Sequence, residues 1–536
     1  MASAKTTALE PIGVDDGKGT VETVESSKAP VDPDVDPKQF EHAANEATEL
    51  EHNLPLREVF QNWTKAVIWA VLFCVCIIMD GYDSSLITNL YGLHAFQRKY
   101  GSQLEGDTYY IPAAWQTAMA MSSPVGRVVG GAIQGHVSEV FGRKKTLIAC
   151  LLLVTAFIFV VFFAESAAVL LTGQMLCGVV WGVLTSLAPT YASEITPLRL
   201  RGILTAYVNL CWSTGQLIST GVLAGMESNN TKWGYRIPFA LQWMWPALIF
   251  TYIFFAPESP YWLVRKGKDK EAEAALRKLI SKPENVDVQN MLALIQRTNE
   301  REKQEEHGAT YWECFKGVNL RRTEISAMAW SIQILCGLSL PFYAVVFFQA
   351  AGLSSEAAFN LNVGMTALGF CGTCISFFLI PRYGRRTLYF GGLCVLTGLM
   401  LIVGFLGIAP RTNSLVNAEA AILIIWFFVY FLTVGPVAYV IFSETSSARL
   451  RSHTVAIALI SYSTLGIVYN VASPYLINTT EANLGAKTGL IYGSISLLSC
   501  VWCYFRLPEC RGRTFEELDI MFERKVPTRE FKDYVI

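Results

Sequence analysis

Three ionisable side chains stand inside long apolar runs. Asp80 and Asp83 lie in Met79-Asp80-Gly81-Tyr82-Asp83-Ser84, and Arg127 lies in Gly126-Arg127-Val128-Val129-Gly130-Gly131. At i and i+3 the two aspartates share one face of a helix. Gly81 between them lets a neighbouring backbone approach or lets the helix deform. Charge held away from water is costly, so such residues mark a function unless a partner satisfies them. A membrane carboxylate can carry a proton: burial favours its neutral form, a nearby cation its ionised form, and a conformational change can switch the balance. Asp83, Asp80 and Arg127 are therefore the candidates for proton coupling. The bland alternative is a structural aspartate satisfied by hydroxyls or backbone.

The elements that would position these residues follow from composition. Of 536 residues 52% are hydrophobic and 16% charged, against about 25% charged in soluble domains. The net charge of −1 hides two unlike parts. Residues 1–62 carry 13 acidic and 5 basic side chains, a balance of −8, and the remainder carries +7. Nucleic-acid binding and secretion fit neither part. Residues 1–62 read as a disordered acidic tail, with no basic-then-apolar leader near Met1. A bilayer core about 30 Å thick needs about 20 apolar residues per helix. Twelve such segments are expected, near 66–90, 112–136, 146–164, 168–192, 202–225, 237–256, 324–348, 358–380, 387–408, 419–442, 453–477 and 485–506; we number them spans 1 to 12. The domains expected are 63–257, a helical linker 258–323 containing a surface helix over Lys270–Leu279, 324–507, and a carboxyl-terminal tail 508–536.

Lys/Arg bias sets orientation. With the amino terminus inside, the short inner loops hold ten basic residues and the outer loops six. Both termini and the linker are then cytoplasmic, and the sequons at Asn229 and Asn478 fall in outer loops as candidate glycosylation sites. The thirteen cysteines are scattered through apolar runs, so Cys371-Gly-Thr-Cys374 and Cys500-Val-Trp-Cys503 read as helix-face residues rather than metal ligands. No metal cluster and no nucleophile–base pair suggests an enzyme.

The chain repeats itself. Phe141-Gly142-Arg143-Lys144 recurs as Tyr383-Gly384-Arg385-Arg386, 242 residues on. Ser193-Glu194, followed by Arg201, recurs as Ser443-Glu444 and Arg451, 250 residues on. Pro257-Glu258 recurs as Pro508-Glu509, 251 residues on. Near-constant offsets imply two homologous six-helix halves. Arg143, Glu194, Arg201, Arg385, Glu444 and Arg451 sit at inner helix ends, where pairing across helices could close a gate and biasing that pairing could shift a two-state equilibrium.

These loops, together with Pro257-Glu258-Ser259-Pro260-Tyr261-Trp262-Leu263 and Pro508-Glu509-Cys510-Arg511-Gly512-Arg513-Thr514-Phe515, resemble the sugar-porter branch of the major facilitator superfamily over about 60–525. Gly173-Gln174-Met175-Leu176-Cys177-Gly178, Asn209-Leu210-Cys211-Trp212, Pro238-Phe239-Ala240-Leu241-Gln242-Trp243 and Gly435-Pro436-Val437-Ala438-Tyr439 resemble the fungal maltose/α-glucoside proton symporters within it. The resemblance implies an all-α membrane fold of twelve transmembrane helices in two pseudo-repeated halves, with cytoplasmic linker helices. It implies a central site between the halves and a proton site at Asp83. The sequence departs from that pattern. Arg127 stands where an acidic residue is expected in span 2, Leu459 lies where an arginine is expected in span 11, and Gln174 stands where other proton-coupled sugar porters have an arginine. Arg127 is then expected beside Asp83. Either protonation releases it, giving symport, or it holds Asp83 ionised, giving a facilitator.

A hydroxyl-rich ligand needs amides, hydroxyls and aromatic faces. Gln216, Gln333 and Tyr439 match positions at which sugar porters bind ligand. Asn209, Ser339, Tyr343, Tyr462, Asn470 and Gln174 complete the candidate set; the alternative for each is an interhelical hydrogen bond. Ser339 and Ile334 replace the Asn and second Gln of many hexose and pentose porters, which thins the hexose pattern and fits an oligosaccharide or glycoside. The function expected is secondary active transport, proton-coupled import of an α-glucoside, oligosaccharide or other sugar across the plasma membrane by alternating access. No cofactor is expected, the proton gradient being the driving force. A facilitator or exporter of a sugar-like or secondary metabolite is the rival, and a non-transporting nutrient sensor the third reading. The expected partners are the sugar or glycoside, the lipid bilayer and, at Lys5, Lys18, Lys28 and Lys38, the ubiquitin and endocytic machinery.

Overall fold

The computed structural model describes residues 37–103, 109–306, 311–410, 412–446, 450–478, 481–511, 515–532 and 534, with only the backbone described for some of them, Arg201 and Arg451 included. In a bilayer every backbone polar group must be satisfied internally, so long apolar runs become helices. Spans 1 to 5 are Thr64–Leu90, Ala113–Phe141, Arg143–Phe162, Ala167–Ile195 and Leu198–Met226. Spans 8, 9 and 11 are Ser355–Tyr383, Arg385–Leu406 and Arg451–Ile477. Span 12 is Thr488–Arg506, entered through a 3-10 turn at Gly485–Lys487. Among the described residues eight spans (1, 3, 4 and 8 to 12) are long and apolar enough to cross a membrane by length and composition alone. The other four are the more polar spans 2 and 5 and the interrupted spans 6 and 7.

Three expected spans are broken rather than continuous. Span 6 runs through Trp233–Ala240, a 3-10 turn at Leu241–Trp243, and Met244–Ile253. Span 7 begins at Gly317, seven residues before the expected start, and continues from Leu335 as two short helices, Ser339–Phe342 and Ala344–Ala350. Gly337 at φ +98° and Pro341 explain this break, since neither supports a continuing helix. Span 10 divides into Asn413–Leu432 and Val434–Thr445 at Thr433, whose φ and ψ are −126° and −81°, beside Gly435-Pro436.

The repeat governs the packing. Span 1 packs on span 5 and span 2 on span 4; in the other half span 7 packs on span 11 and span 8 on span 10. The halves meet where span 5 lies on span 8 and span 2 on span 11, which are equivalent contacts under exchange of halves. Close approach of spans 1 and 5 depends on two glycines. A Cβ at Gly81 would stand 2.2 Å from the Trp212 carbonyl oxygen, and one at Gly215 would stand 2.0 Å from the Ile78 carbonyl oxygen. Spans 2 and 4 meet in the same way at Gly130, Gly178 and Gly182, whereas Gly131 faces open space.

Lys5, Lys18 and Lys28 lie outside the described residues. The reading of 1–62 as wholly disordered fails from Pro37 onward. Helices span Pro37–Asn53 and Leu56–Asn62, and the first packs on the linker helix Val288–Glu306. The cause is a buried face, with Ala44 and Ala47 0% and 3% exposed, fastened by Arg297 Nη1 to Asn45 Oδ1 (2.6 Å) and Asn290 Nδ2 to Glu46 Oε2 (2.9 Å). The linker also holds Pro260–Arg265 and Asp269–Leu279. The latter is the expected amphipathic surface helix, with Ala272, Ala275, Leu276 and Leu279 on its buried face. At the carboxyl end Phe515–Glu523 docks with Leu518, Met521 and Phe522 buried.

Replacing Gly81 or Gly215 by leucine forces spans 1 and 5 apart, because overpacking a tight contact costs about 1–3 kcal/mol or more. Size-exclusion profiles of fluorescently tagged variants should show loss of the monodisperse peak, while Gly131→Ala retains it.

Candidate functional site

We call the side bearing the linker and the Gly-Arg loops the linker face, and the opposite side the far face. Near mid-depth, Arg127 Nη2 lies 2.6 Å from Asp80 Oδ1. Asp80 is 1% and the Arg127 side chain 27% exposed, so the carboxylate is enclosed and the guanidinium borders the interhalf space. Thr185 Oγ1 of span 4 donates to Asp80 Oδ2 at 3.3 Å. Asp83, also 1% exposed, points to a different environment. Its Oδ1 accepts from Gln242 Nε2 at 2.9 Å, supplied by the 3-10 turn that interrupts span 6. Its Oδ2 is buried without a hydrogen-bond partner. The expected pairing of Arg127 with Asp83 is therefore replaced by pairing with Asp80. One helical turn separates the aspartates, and span 2 reaches span 1 at the level of the first.

The second half brings aromatic rings to this pair. Trp330 of span 7 lies 5.4 Å from Tyr439, 4.6 Å from Phe442 and 6.1 Å from Tyr462, centroid to centroid. Tyr462 is within electrostatic reach of Arg127 and Asp80, and Tyr439 of Asp80. Gln333, one turn along from Trp330, accepts at Oε1 from the Tyr430 hydroxyl at 3.0 Å and leaves Nε2 without a partner. Tyr430 is itself stacked on Trp426. Asn209 Nδ2 is likewise unpaired, and Asn209 and Gln216 are 8% and 2% exposed. Such a set matches the polar edges and C–H faces of a sugar ring. Trp330, Phe442, Tyr430 and Thr185 were not singled out from sequence; Trp330 was within reach, three residues before Gln333 and thus on its face.

The remaining candidates divide. Tyr343 and Ser339 sit in the broken part of span 7, buried at 1% and 4%. Tyr343 stacks on Tyr91, the residue that follows span 1, with centroids 6.3 Å apart, and so belongs to the far-face closure. Gln174 is 1% exposed, with both amide atoms unpaired, and lies on the span 4 face that passes Asp83. Asn470 is half-buried. Among the described residues the hydrogen bonds joining the halves run from mid-depth to the far face. They link Ser213 with Thr373 (3.3 Å), Thr220 with Thr366 (2.8 Å), Asn362 Nδ2 with Asn89 Oδ1 (2.9 Å) and Gln349 Nε2 with the Gly92 carbonyl (2.9 Å). Asn478 joins this seal, accepting from Gln116 Nε2 at 3.5 Å, and is 9% exposed. The other sequon residue, Asn229, lies in an open turn with Oδ1 bonded to Thr231.

At the linker face the charged repeats form one cluster in each half. Arg143 binds Glu194 through Nε (2.9 Å) and Nη2 (2.8 Å), and Arg265 adds a contact to the same carboxylate at 3.3 Å. Arg385 binds Glu444 likewise, Nη2 to Oε1 at 2.7 Å. The side chains of Arg201 and Arg451 lie outside the described residues. The repeated Pro-Glu acts as a long-range helix cap. Glu258 accepts from the Arg143 N–H at 2.9 Å, and Glu509 from the Arg385 N–H at 2.8 Å. Each carboxylate thus covers the amino terminus of a span, where free N–H groups and the helix dipole favour negative charge. Gly142 and Gly384, at φ +88° and +86°, admit it; a Cβ on either would meet the carboxylate at 2.6 Å. Burial pushes the Glu258 carboxyl above its usual range, while backbone donors from Ser259, Arg143 and Lys144 oppose the shift. Among the described residues no cluster of His, Cys, Asp or Glu could hold a metal.

Residues 69–522 match the family model for "Sugar (and other) transporter". The chain is 37% identical over 499 residues to the general alpha-glucoside permease of Saccharomyces cerevisiae, covering 92% of this chain and 81% of that one. It is 38% identical over 497 residues to a maltose permease of the same yeast, covering 91% and 81%. Among solved structures it resembles the proton:xylose symporter XylE bound to 6-bromo-6-deoxy-D-glucose (TM-score 0.68, 21% identity, 86% and 100% covered). It also resembles the inward-open E. coli xylose transporter (TM-score 0.66, 20% identity, 85% and 99% covered). The fold is thus that of the major facilitator superfamily, a membrane transporter fold. The chain belongs to the sugar transporter family, and the yeast relatives it matches are permeases, which are transporters and not enzymes.

Arg127→Leu should leave Asp80 buried without its cation. The cost is about 3 kcal/mol, the low end for one partner of a buried pair because Arg127 keeps some exposure. The melting temperature of the detergent-purified protein should fall, and Asp80→Asn in the same chain should recover much of it.

Proposed function

We propose that this sugar transporter is a proton-coupled importer of an α-glucoside or related oligosaccharide, working by alternating access in the plasma membrane with both termini in the cytoplasm. The curated relatives named for α-glucosides and maltose, matched over nine-tenths of the chain, support the substrate class. A broad aromatic wall of Trp330, Tyr439, Phe442 and Tyr462 suits a ligand of more than one ring. The observation that carries proton coupling is the separation of the two aspartates. Arg127 neutralises Asp80, whereas Asp83 is enclosed beside the Gln242 amide with no cation within salt-bridge distance among the described residues. A proton is the simplest charge that can neutralise it there. Excess arginine and lysine on the linker face favours that face as cytoplasmic. The far-face seal then fits one end of an alternating-access cycle, with the central site closed from outside.

A facilitator is the second reading, favoured by the Asp80–Arg127 pair, which is already neutral and needs no proton. Ubiquitin attachment at Lys5, Lys18, Lys28 or Lys38 would act on abundance and not on the cycle.

In yeast lacking its own α-glucoside transporters, uptake of labelled maltose should be several-fold faster at pH 5 than at pH 7. A protonophore should collapse it, and Asp83→Asn should abolish accumulation while sparing exchange of sugar across the membrane. Uptake indifferent to pH, protonophore and Asp83→Asn would leave the facilitator.

A further inference from the structure

The repeat pairs one more set of residues. Lys144 Nζ donates to the Phe254 carbonyl at 2.6 Å, and Arg386 Nη2 donates to the Tyr504 carbonyl at 2.9 Å. Lys144 and Arg386 stand 242 residues apart, and Phe254 and Tyr504 250. In each half, then, the cation that follows the Gly-Arg reaches the end of the last span. There it meets two aromatic side chains that the protein leaves open. Phe254 and Phe255 are 58% and 76% exposed, and Tyr504 and Phe505 44% and 58%.

These rings continue a larger surface. Leu497, Leu498, Val501, Tyr504 and Phe505 are all exposed on span 12 and fall at helical spacing on one face. On a membrane span such a stripe faces lipid. Rings at its linker-face end lie where acyl chains meet headgroups, the level that aromatic side chains favour. Met244, Leu248 and Phe255 make the corresponding stripe on span 6.

A further cation completes each set. The carboxyl-terminal tail holds the Arg529 guanidinium 4.4 Å from the Tyr504 ring centre and 5.6 Å from that of Phe505. The tail itself is fastened. Arg321 donates to the Val526 carbonyl (3.0 Å) and to Thr528 Oγ1 (2.8 Å), and Phe522 and Phe531 are fully buried. In the first half Lys278 of the linker helix is within electrostatic reach of Lys144. Among the described residues none of these four cations has a carboxylate within salt-bridge distance. The nearby carboxylates of Glu258 and Glu509 turn their oxygens to the backbone N–H groups of Lys144 and Arg386.

Paired cations beside lipid-facing rings select the ligand. A soluble anion would use the cations and leave the rings uncovered. A zwitterionic headgroup would bring a cation of its own towards them. An anionic phospholipid meets both demands, with its headgroup on the cations and its acyl chains along the stripe. We propose that the linker-face ends of spans 6 and 12 are two repeat-related sites for an anionic phospholipid, its headgroup held by Lys144 and Lys278 in the first half and by Arg386 and Arg529 in the second. In the second half the headgroup ties together the start of span 9, the end of span 12 and the tail. With the orientation proposed above, both sites face the cytoplasmic leaflet, where anionic lipids concentrate. Neither site depends on the transported substrate or on proton coupling.

The probe is palmitoyl-oleoyl phosphatidylserine, added to the purified full chain in a detergent without a sugar headgroup. Native mass spectrometry should find two retained copies, and none of phosphatidylcholine at the same concentration. Arg386→Ala with Arg529→Ala should weaken one copy about 25-fold, about fivefold for each cation, and Lys144→Ala with Lys278→Ala should weaken the other. Arg386→Lys with Arg529→Lys keeps both charges and should keep that copy; equal loss in this variant would assign the effect to packing and overturn the proposal. Phosphatidylserine should raise the melting temperature of the wild type but not of the quadruple alanine variant, and raised salt should weaken binding. Undiminished binding by the quadruple variant would overturn the proposal. Equal retention of phosphatidylcholine would mean an apolar stripe without headgroup choice, and ready displacement by inorganic phosphate would mean a site for a free anion; either result overturns it too.

Discussion

The centre of the molecule depends on the ion pair between Asp80 and Arg127. In a low-dielectric interior neither charge is tolerable alone, and their mutual attraction offsets desolvation only at close range. The 2.6 Å contact therefore fixes the position of span 2 against span 1 at mid-depth. It also consumes the single arginine available there and leaves Asp83 to the amide of Gln242. The site needs span 1 to be packed tightly from the other side, which Gly81 and Gly215 permit by letting two backbones touch. Charge and close packing thus work as one constraint: a side chain at either glycine would displace the helix that carries both aspartates.

A second layer of organisation repeats at the linker face. In each half a Gly-Arg turn, a glutamate at the end of a span and a Pro-Glu after the last span converge into one charged cluster. Among the described residues the pairs of each cluster lie within one half, where they tie that half's helix ends together. Hydrogen bonds that join the halves among the described residues run from mid-depth to the far face. Two halves sealed on one side are the arrangement from which a rocking movement can open a central site to alternate sides.

Much of this was legible in the sequence because membrane physics leaves few choices. Apolar runs of the right length must be helices, and three motif pairs at near-constant spacing must be structural equivalents. The same reasoning singled out Asp80, Asp83, Arg127, Gln333, Tyr439 and Tyr462 as candidates, and the structure pairs Asp80 with Arg127. It failed where a residue's role depends on what lies opposite. Pro257-Glu258 was visible as a repeat, but its role as a cap on a span 115 residues earlier in the chain depends on helices folding back. The contact between Gln116 of span 2 and Asn478 is likewise invisible without the packing of the two halves. Residues 37–53 read as tail because their small buried face, Ala44 and Ala47, is too weak to stand out without the linker helix it covers.

The sequence by itself determined the membrane class, the two-fold repeat, the family and the short list of charges that could matter, because each follows from local composition and spacing. Tertiary structure alone decided which aspartate Arg127 neutralises, which aromatic rings face that pair and which buried amides lack partners. An i, i+3 pair of carboxylates shares a face whatever surrounds it. Only the depth at which span 2 meets span 1, which depends on backbone geometry over many residues, chooses between two carboxylates one helical turn apart.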